Sequence, residues 1–186
     1  VILGMQGAIA EHQEILLQIP HTKTRIVKTA KDLDCIDGLI LPGGESTAIG
    51  KLLDYFSLKE ILRQKIISGL PVFGTCAGLI LLAKNIENQT NTHLATMDIT
   101  VKRNGYGSQL DSFSTNLLIP TIDKNMPIPL VFIRAPYITK TDKDVQILAT
   151  FDNKIIAARQ KNMLVSSFHP ELTCDLRFHQ YFLSMI

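Results

Sequence analysis

The sequence predicts an α/β fold, with a central, mostly parallel β-sheet, helices on both of its faces and an added antiparallel β layer. In the first half, short apolar runs alternate with longer segments of helical periodicity, which is typical of parallel strands joined by crossover helices. In the second half, short strands follow one another with polar turns between them. The 186 residues are 46% hydrophobic and only 19% charged. That composition is enough for one core, so we expect a single domain over residues 1–186.

The first half of the chain supplies the parallel strands and the helices between them. Short apolar runs predict strands at residues 1–3, 25–27, 38–41 and 71–73. Apolar residues at helical spacing predict helices over residues 11–19, 47–56, 58–67 and 77–83. The chain opens on apolar residues, so we expect its first strand to begin before Val1.

The second half is richer in strands. They are predicted at residues 99–101, 116–119, 130–133, 145–151, 154–158 and 163–166. A last helix is predicted over about residues 175–185, and the markedly polar residues 85–93 are expected to form an exposed loop.

Composition excludes several classes of function. The formal charge is +2 and the basic residues are scattered, which speaks against nucleic-acid binding. The apolar runs are too short for a bilayer and no basic leader is seen, so no membrane association is expected. Cys35, Cys76 and Cys174 are odd in number and form no CxxC pair. This argues against a disulfide framework or a zinc site and favours a reducing, cytoplasmic location.

Cys76 is the strongest candidate nucleophile. It lies in residues 74–78, Gly-Thr-Cys-Ala-Gly, between a predicted strand and a predicted helix. A nucleophile on such a sharp turn needs small neighbours, because the backbone there is strained and close to other elements. The N-terminal end of a helix also favours the thiolate. A buried structural cysteine packed among Gly and Ala is the alternative.

His169 and Glu171 are the candidate partners of this thiol. They follow the predicted strand 163–166, and in extended geometry residues two apart point the same way. The carboxylate of Glu171 can then orient the imidazole of His169, while a surface histidine beside an acidic residue is the alternative. The other four histidines are interpreted as solvated helix or loop residues without metal-ligand spacing, namely His12, His21, His93 and His179.

A glycine loop and two arginines complete the candidate site. Residues 41–47, Leu-Pro-Gly-Gly-Glu-Ser-Thr, again join a strand to a helix. Two glycines there let backbone amides face an anion, and Ser46 or Thr47 can cap the helix; a simple tight turn is the alternative. Arg103 and Arg134 are candidates for binding a carboxylate, against the alternative of structural ion pairs. These loops all follow strand ends, so we expect them to converge.

Taken together, residues 41–47, 74–78 and 168–171 resemble the class I (triad) glutamine amidotransferases in order and spacing. The match is closer to the PdxT/SNO family, the glutaminase subunits of pyridoxal 5'-phosphate synthase. It rests on residues 132–136 and 167–173 and on a central motif. That motif comprises Arg103, Asn104, Tyr106, Gly107, Gln109, Asp111, Ser112 and Phe113. The resemblance covers essentially the whole chain and implies the three-layer, flavodoxin-like fold of that class.

The resemblance also implies residue roles. Cys76 is the implied nucleophile, and His169 with Glu171 completes the triad. The glutamine site is implied to comprise Gly44, Glu45, Ser46, Arg103, Ile133 and Arg134. Backbone amides at Gly44 and Ala77 are implied to form the oxyanion hole, and neither a metal nor a cofactor is expected.

The partner implied by the resemblance is the synthase subunit, in a large hetero-oligomer. It receives ammonia and combines it with a pentose phosphate and a triose phosphate to make pyridoxal 5'-phosphate. We expect synthase docking to reorient the Gly43–Gly44 peptide, with Gln6 and Gly7 sensing the partner. Alternatives are the glutaminase subunit of another amidotransferase, such as imidazole glycerol phosphate synthase, a cysteine peptidase-like hydrolase, and a catalytically dead binding module.

Overall fold

The structure, a computed structural model, describes residues 1–105 and 112–186. Its helices are α1 (Ile9–Leu17), α2 (Ser46–Tyr55), α3 (Lys59–Ile67), α4 (Ala77–Leu82) and α5 (Arg177–Leu183). Two 3-10 turns, Ala30–Leu33 and Pro170–Leu172, add to them. The strands are β1 (Ile2–Leu3), β2 (Ile26–Val27), β3 (Leu39–Leu41), β4 (Val72–Thr75), β5 (Ala83–Ile86), β6 (Met97–Lys102), β7 (Ser112–Leu117), β8 (Ile128–Ile133), β9 (Tyr137–Thr141), β10 (Gln146–Phe151), β11 (Lys154–Gln160) and β12 (Met163–Ser166).

One large sheet forms the centre of the molecule. Its strand order is β2-β1-β3-β4-β12-β11-β9-β6-β5, and β10 pairs with β11 beyond this path. The first five strands in that order are parallel, whereas β11 runs antiparallel to β12, β9 to β11 and β6 to β9. Strands β7 and β8 form a separate antiparallel hairpin. The predicted α/β class with parallel and antiparallel parts is therefore confirmed.

The central strands are apolar throughout because both of their faces are covered. Every residue of β3, β4 and β12 is buried, as expected for parallel strands between two layers. Alternate residues serve opposite faces, so Leu39 and Leu41 belong to the core under α2, α3 and α4. Ile40 belongs to the second core, which α1, α5 and the β7–β8 hairpin cover. None of the described helices is long and apolar enough to cross a membrane.

Several boundaries differ from the sequence prediction. Residues 85–93 were expected to be an exposed loop, but Asn85 and Ile86 belong to β5, which pairs with β6. The helix predicted over 77–83 ends at Leu82 for the same reason, because Ala83 already starts that strand. Strand β9 was not predicted, and it pairs with β6 on one side and β11 on the other. The strand predicted at 116–119 is Ser112–Leu117, since its register is set by β8.

The parallel half of the sheet places three loops at one edge. The loops after β3, β4 and β12 leave the carboxyl ends of neighbouring strands, which is where open α/β sheets bind ligands. They carry Gly43 and Gly44, Cys76, and His169, in that order. The predicted convergence of the three segments is therefore a consequence of strand order.

Candidate active site

Cys76 lies at a strained strand-to-helix turn. Its φ is 48° and its ψ is −98°, between the end of β4 and the first residue of α4. A non-glycine residue rarely adopts a positive φ, so the surroundings must enforce it. The Cys76 N–H donates to the carbonyl of Ser166 over 2.8 Å, which ties the turn to β12. The thiol is held in place, with the residue 8% exposed.

The small residues around Cys76 are required by close backbone approach. A Cβ on Gly74 would lie 2.6 Å from the backbone carbonyl of Gly78. A Cβ on Gly78 would lie 2.1 Å from the carbonyl oxygen of Leu41. Neither position can hold a side chain without moving the backbone, so the motif specifies the turn by sterics.

His169 and Glu171 form a buried pair directly after β12. His169 Nδ1 donates to Glu171 Oε1 over 2.7 Å, and the two residues are 7% and 4% exposed. The sequence prediction assumed extended geometry, but the 3-10 turn Pro170–Leu172 brings the carboxylate back to the ring. The backbone of His169 is fixed as well, because its N–H donates to the carbonyl of Val131.

The imidazole of His169 is protonated at neutral pH. Burial by itself lowers its pKa, but the Cys76 sulfur and the Glu171 carboxylate raise the pKa of His169 to about 10. The cation is thus stabilised on one side by the sulfur and on the other by the carboxylate. A cationic imidazole next to the sulfur is the arrangement found around cysteine nucleophiles.

The glycine loop after β3 lies against these residues. A Cβ on Gly43 would lie 2.4 Å from His169 Cε1 and 3.5 Å from Cys76 Cβ, so the loop can approach only as glycine. The Gly43 carbonyl accepts from the N–H of Ala8 over 3.0 Å, and the Gly44 N–H therefore points the opposite way. Gln6 Oε1 accepts from the N–H of Glu45 over 2.8 Å.

The predicted cap of α2 is wrong in one respect. Glu45, not Ser46 or Thr47, is the N-cap residue, and no side chain caps the helix. Ser46 is the first helical residue, and its buried hydroxyl has no hydrogen-bond partner among the described residues.

A cleft of about 420 Å³ opens over Cys76 and His169. Every residue predicted to bind substrate lines it, as do Cys76, His169 and the helix residue Ala77; the substrate candidates are Gly44, Glu45, Ser46, Arg103, Ile133 and Arg134. Glu171 lies behind His169, outside the lining. As the first residue of α4, Ala77 has an N–H without an intrahelical acceptor. The candidate residues therefore occupy one site.

The two arginines are held differently. Arg103 Nη2 lies 3.8 Å from Glu45 Oε2, and its Nη1 donates to Thr47 Oγ1 over 3.2 Å. Arg134 is exposed in a turn with a φ of 42°. Of the central motif, Tyr106, Gly107, Gln109 and Asp111 lie outside the described residues.

Two histidines that the sequence prediction placed in solvent are buried. His12 on α1 and His179 on α5 are both 0% exposed, and they contact each other behind Glu171. Helical spacing carries a signal for this, because His12, Ile15 and Leu16 share one buried face. His93, also expected in solvent, is half-buried because it packs on Gly50. His21 is exposed as predicted.

Metal-ligating groups were also sought in the part of the chain that the structure describes. There, no group of three or more His, Cys, Asp or Glu side chains could hold a metal ion. The three cysteines are free, and Cys35 and Cys174 are exposed.

A cysteine on a nucleophile elbow, a buried His–Glu pair and a glycine loop at the edge of a parallel sheet define the class of triad glutamine amidotransferases. Comparison with known proteins agrees. The model of the SNO glutamine amidotransferase family matches residues 2–186, and the chain belongs to this family. It is an enzyme that hydrolyses the side-chain amide of glutamine.

Curated relatives extend the match over the whole chain. The subunit named pyridoxal 5'-phosphate synthase subunit PdxT of Ruminiclostridium cellulolyticum is 53% identical, covering 100% of this chain and 97% of its own. The protein of the same name from Carboxydothermus hydrogenoformans is 54% identical, covering 100% and 96%. A solved structure described as a glutamine amidotransferase superimposes with a TM-score of 0.92 at 38% identity, covering 99% and 96%.

Proposed function

We propose that Cys76, His169 and Glu171 carry out glutamine hydrolysis in a pyridoxal 5'-phosphate synthase, of which this chain is the single-domain glutaminase subunit. The observation that carries these roles is the buried Nδ1–Oε1 bond of 2.7 Å between His169 and Glu171, next to the strained Cys76. It leaves the other ring nitrogen of His169 available to the sulfur. A nucleophile, a base and an orienting carboxylate are the three parts that acyl transfer requires.

The reaction follows from this arrangement. The Cys76 thiolate attacks the side-chain carbonyl carbon of glutamine, and the carbonyl oxygen becomes an oxyanion. The backbone N–H groups of Gly44 and Ala77 stabilise that charge. His169 protonates the leaving nitrogen, so the C–N bond breaks and ammonia departs. Water, deprotonated by the now neutral His169, then cleaves the thioester to glutamate and frees Cys76.

Glutamine is recognised by the outer part of the cleft. The guanidinium groups of Arg103 and Arg134 are suited to its α-carboxylate, and Glu45 to its α-amino group. The lining residues Ser46 and Ile133 complete the contact surface. A cleft of about 420 Å³ suits one amino acid better than an extended peptide.

The ammonia is passed to a synthase subunit, with which this chain forms a large hetero-oligomer. The names of the two curated relatives, both subunits of that synthase, support this assignment. The hydrolytic step needs neither a metal nor a cofactor, because every group in the mechanism is supplied by the chain. Pyridoxal 5'-phosphate is then a product of the partner.

The decisive experiment replaces the nucleophile. We expect Cys76→Ala to abolish glutamine hydrolysis in the reconstituted complex while synthesis from added ammonium chloride continues, since only the ammonia source is lost. Glutamate release and pyridoxal 5'-phosphate absorbance measure the two activities. Cys174→Ala, which removes an exposed thiol, is the matched control and keeps both. Wild-type turnover of glutamine by Cys76→Ala would refute the proposed mechanism, and cleavage of peptides in preference to glutamine would refute the substrate.

A further inference from the structure

A network of buried polar groups continues from the triad into the core. Beyond Glu171 lies His12, whose Nε2 is 3.5 Å from Glu171 Oε2 and 3.1 Å from Thr75 Oγ1. Its Nδ1 is 2.9 Å from Nε2 of His179. These polar groups come from three elements, with His12 on α1, Thr75 on β4 and His179 on α5. All three residues are completely buried behind the Glu171 carboxylate.

The carboxylate oxygen at this contact needs a donor. Glu171 Oε1 accepts from His169, whereas Oε2 is buried and makes no hydrogen bond of normal length with the described residues. A buried anionic oxygen without a donor is costly. His12 Nε2 is the group the structure places at ion-pair distance from it. Hydrogen bonds of active sites are often long before substrate binds and shorten in the complex.

The available partners determine which nitrogen of His12 and of His179 carries the proton. His179 Nδ1 is buried and has no partner among the described residues, so it is best unprotonated, and the His179 proton then lies on Nε2. That N–H donates to His12 Nδ1, which leaves the His12 proton on Nε2, facing Glu171 and Thr75. In the reverse arrangement, His179 would bury an unpaired N–H, and a lone pair of His12 would face the carboxylate.

The surroundings of His12 and His179 favour the neutral form of both imidazoles. Burial, together with the neighbouring His179 and His169, holds the pKa of His12 well below its usual value. Burial also lowers the pKa of His179 to about 4. The ionisable groups that face His12 are Glu171, His179 and His169. A neutral donor supplies a hydrogen bond to Glu171 without cancelling its charge, so the full negative charge stays available to His169.

We infer that His12, oriented by His179, is a positioning residue of the triad that donates from Nε2 to Glu171 Oε2. It keeps the carboxylate turned toward His169, and through it supports the imidazolium that protonates the leaving ammonia. This role rests on the proposed function of Cys76, His169 and Glu171. His12 does not touch substrate, because Glu171 and His169 lie between it and the cleft.

Two substitutions at His12 separate positioning from packing. His12→Phe keeps a ring but removes the donor, and His12→Gln keeps an N–H close to the position of Nε2. In the reconstituted complex we expect His12→Phe to lower kcat for glutamine about tenfold to hundredfold, as for a lost hydrogen bond to a charged group. KM should stay near the wild-type value. The alkaline limb of the kcat profile should move to lower pH, because His169 loses its proton more easily, and His12→Gln should recover most of both effects.

The controls make each outcome decisive. His21→Asn removes an exposed histidine and should change nothing. The role of His12 is refuted if folded His12→Phe keeps the wild-type kcat and pH profile, or if His12→Gln is as slow as His12→Phe. If His12→Phe does not fold, nitrogen-15 NMR of histidine-labelled wild-type protein decides. Neutral Nε2–H tautomers at His12 and His179 support the inference, whereas an Nδ1–H tautomer or a cation at His12 refutes it. Absence of glutaminase activity in the wild-type complex would instead overturn the proposed function itself.

Discussion

The two walls of the cleft differ in how deeply they are buried and how firmly they are held. The inner wall is formed by Cys76 and His169 and is backed by Glu171. These three residues are at most 8% exposed and are tied to the sheet by backbone and side-chain hydrogen bonds. The outer wall, Gly44, Glu45, Arg103 and Arg134, lies at the mouth. There the Glu45 side chain is 66% exposed and its contact with Arg103 is 3.8 Å long.

This difference matches the two tasks that we propose for the walls, which are catalysis for the inner wall and recognition of glutamine for the outer wall. A nucleophile displaced by 1 Å can lose about a hundredfold in rate, so a fixed position in the core suits the groups that we propose to react. In the proposed function, the outer wall must admit glutamine and release glutamate. Substitutions in the inner wall should therefore act on kcat, and substitutions in the outer wall on KM or on the response to the partner.

Of three changes that test this comparison, Glu171→Gln, directly behind the inner wall, is expected to have the largest effect. The neutral amide removes the charge that supports the His169 cation, and we expect kcat to fall by about 10² to 10⁴ with KM little changed. In the wild-type protein the His169 proton is lost only as pH rises through about 10. Because Glu171 raises that pKa, its removal shifts the alkaline limb of the kcat profile to lower pH.

Steady-state glutaminase assays across pH measure both effects of Glu171→Gln. His169→Asn is the comparison and should be at least as severe, since it removes the proton donor itself. A Glu171→Gln enzyme with an unaltered alkaline limb would show that the carboxylate does not support the His169 cation.

The next largest effect is expected for Arg103→Ala in the outer wall. Losing one charge-assisted contact with the glutamine carboxylate should cost about 1.5 to 3 kcal/mol, roughly a tenfold to hundredfold rise in KM. Turnover at saturation should be nearly normal, because the triad is untouched. Lys102→Ala, which removes an exposed neighbouring cation, is the matched control. An unchanged KM with a lower Tm would assign Arg103 to its structural contacts with Glu45 and Thr47 instead.

The smallest effect is expected for Gln6→Ala. This change removes the 2.8 Å hydrogen bond that Gln6 accepts from the N–H of Glu45, worth about 0.5 to 1.5 kcal/mol. We expect the isolated wild-type chain to be a slow glutaminase that the synthase accelerates, by reorienting the Gly43–Gly44 peptide now held by Ala8. Gln6→Ala should reduce that acceleration roughly twofold to tenfold.

The acceleration by the synthase is measured by comparing glutaminase turnover of the isolated chain and of the complex. Both are assayed with the wild-type protein and with Gln6→Ala. Gln13→Ala breaks a hydrogen bond to Thr24 on the far side of α1 and serves as the control. Equal wild-type turnover in the two states would mean that the oxyanion hole is preformed, and the coupling would then be refuted while the triad stands.

Much of the fold was accessible from the sequence, for a physical reason. The strands β3, β4 and β12 are apolar runs in the sequence because they are buried on both faces. The helices α2 and α3 show apolar residues at helical spacing because only one face of each is buried. Strands β5 and β9 were missed because they mix exposed polar with buried residues and owe their form to pairing with β6.

The elbow around Cys76, the pair His169 and Glu171, and the glycine loop were all recognisable from short sequence motifs. Small residues directly after an apolar strand mark a turn that has no room for side chains. The contacts that require Gly43 and Gly78 come from distant segments, at His169 and Leu41. What only the tertiary structure decided is which distant side chains meet. His12 and His179 are 167 positions apart and were placed in solvent from the sequence. Packing of α1 and α5 on one face of the sheet buries both behind Glu171. There His12 Nδ1 and His179 Nε2 share a hydrogen bond, which lowers the cost of burying the two rings.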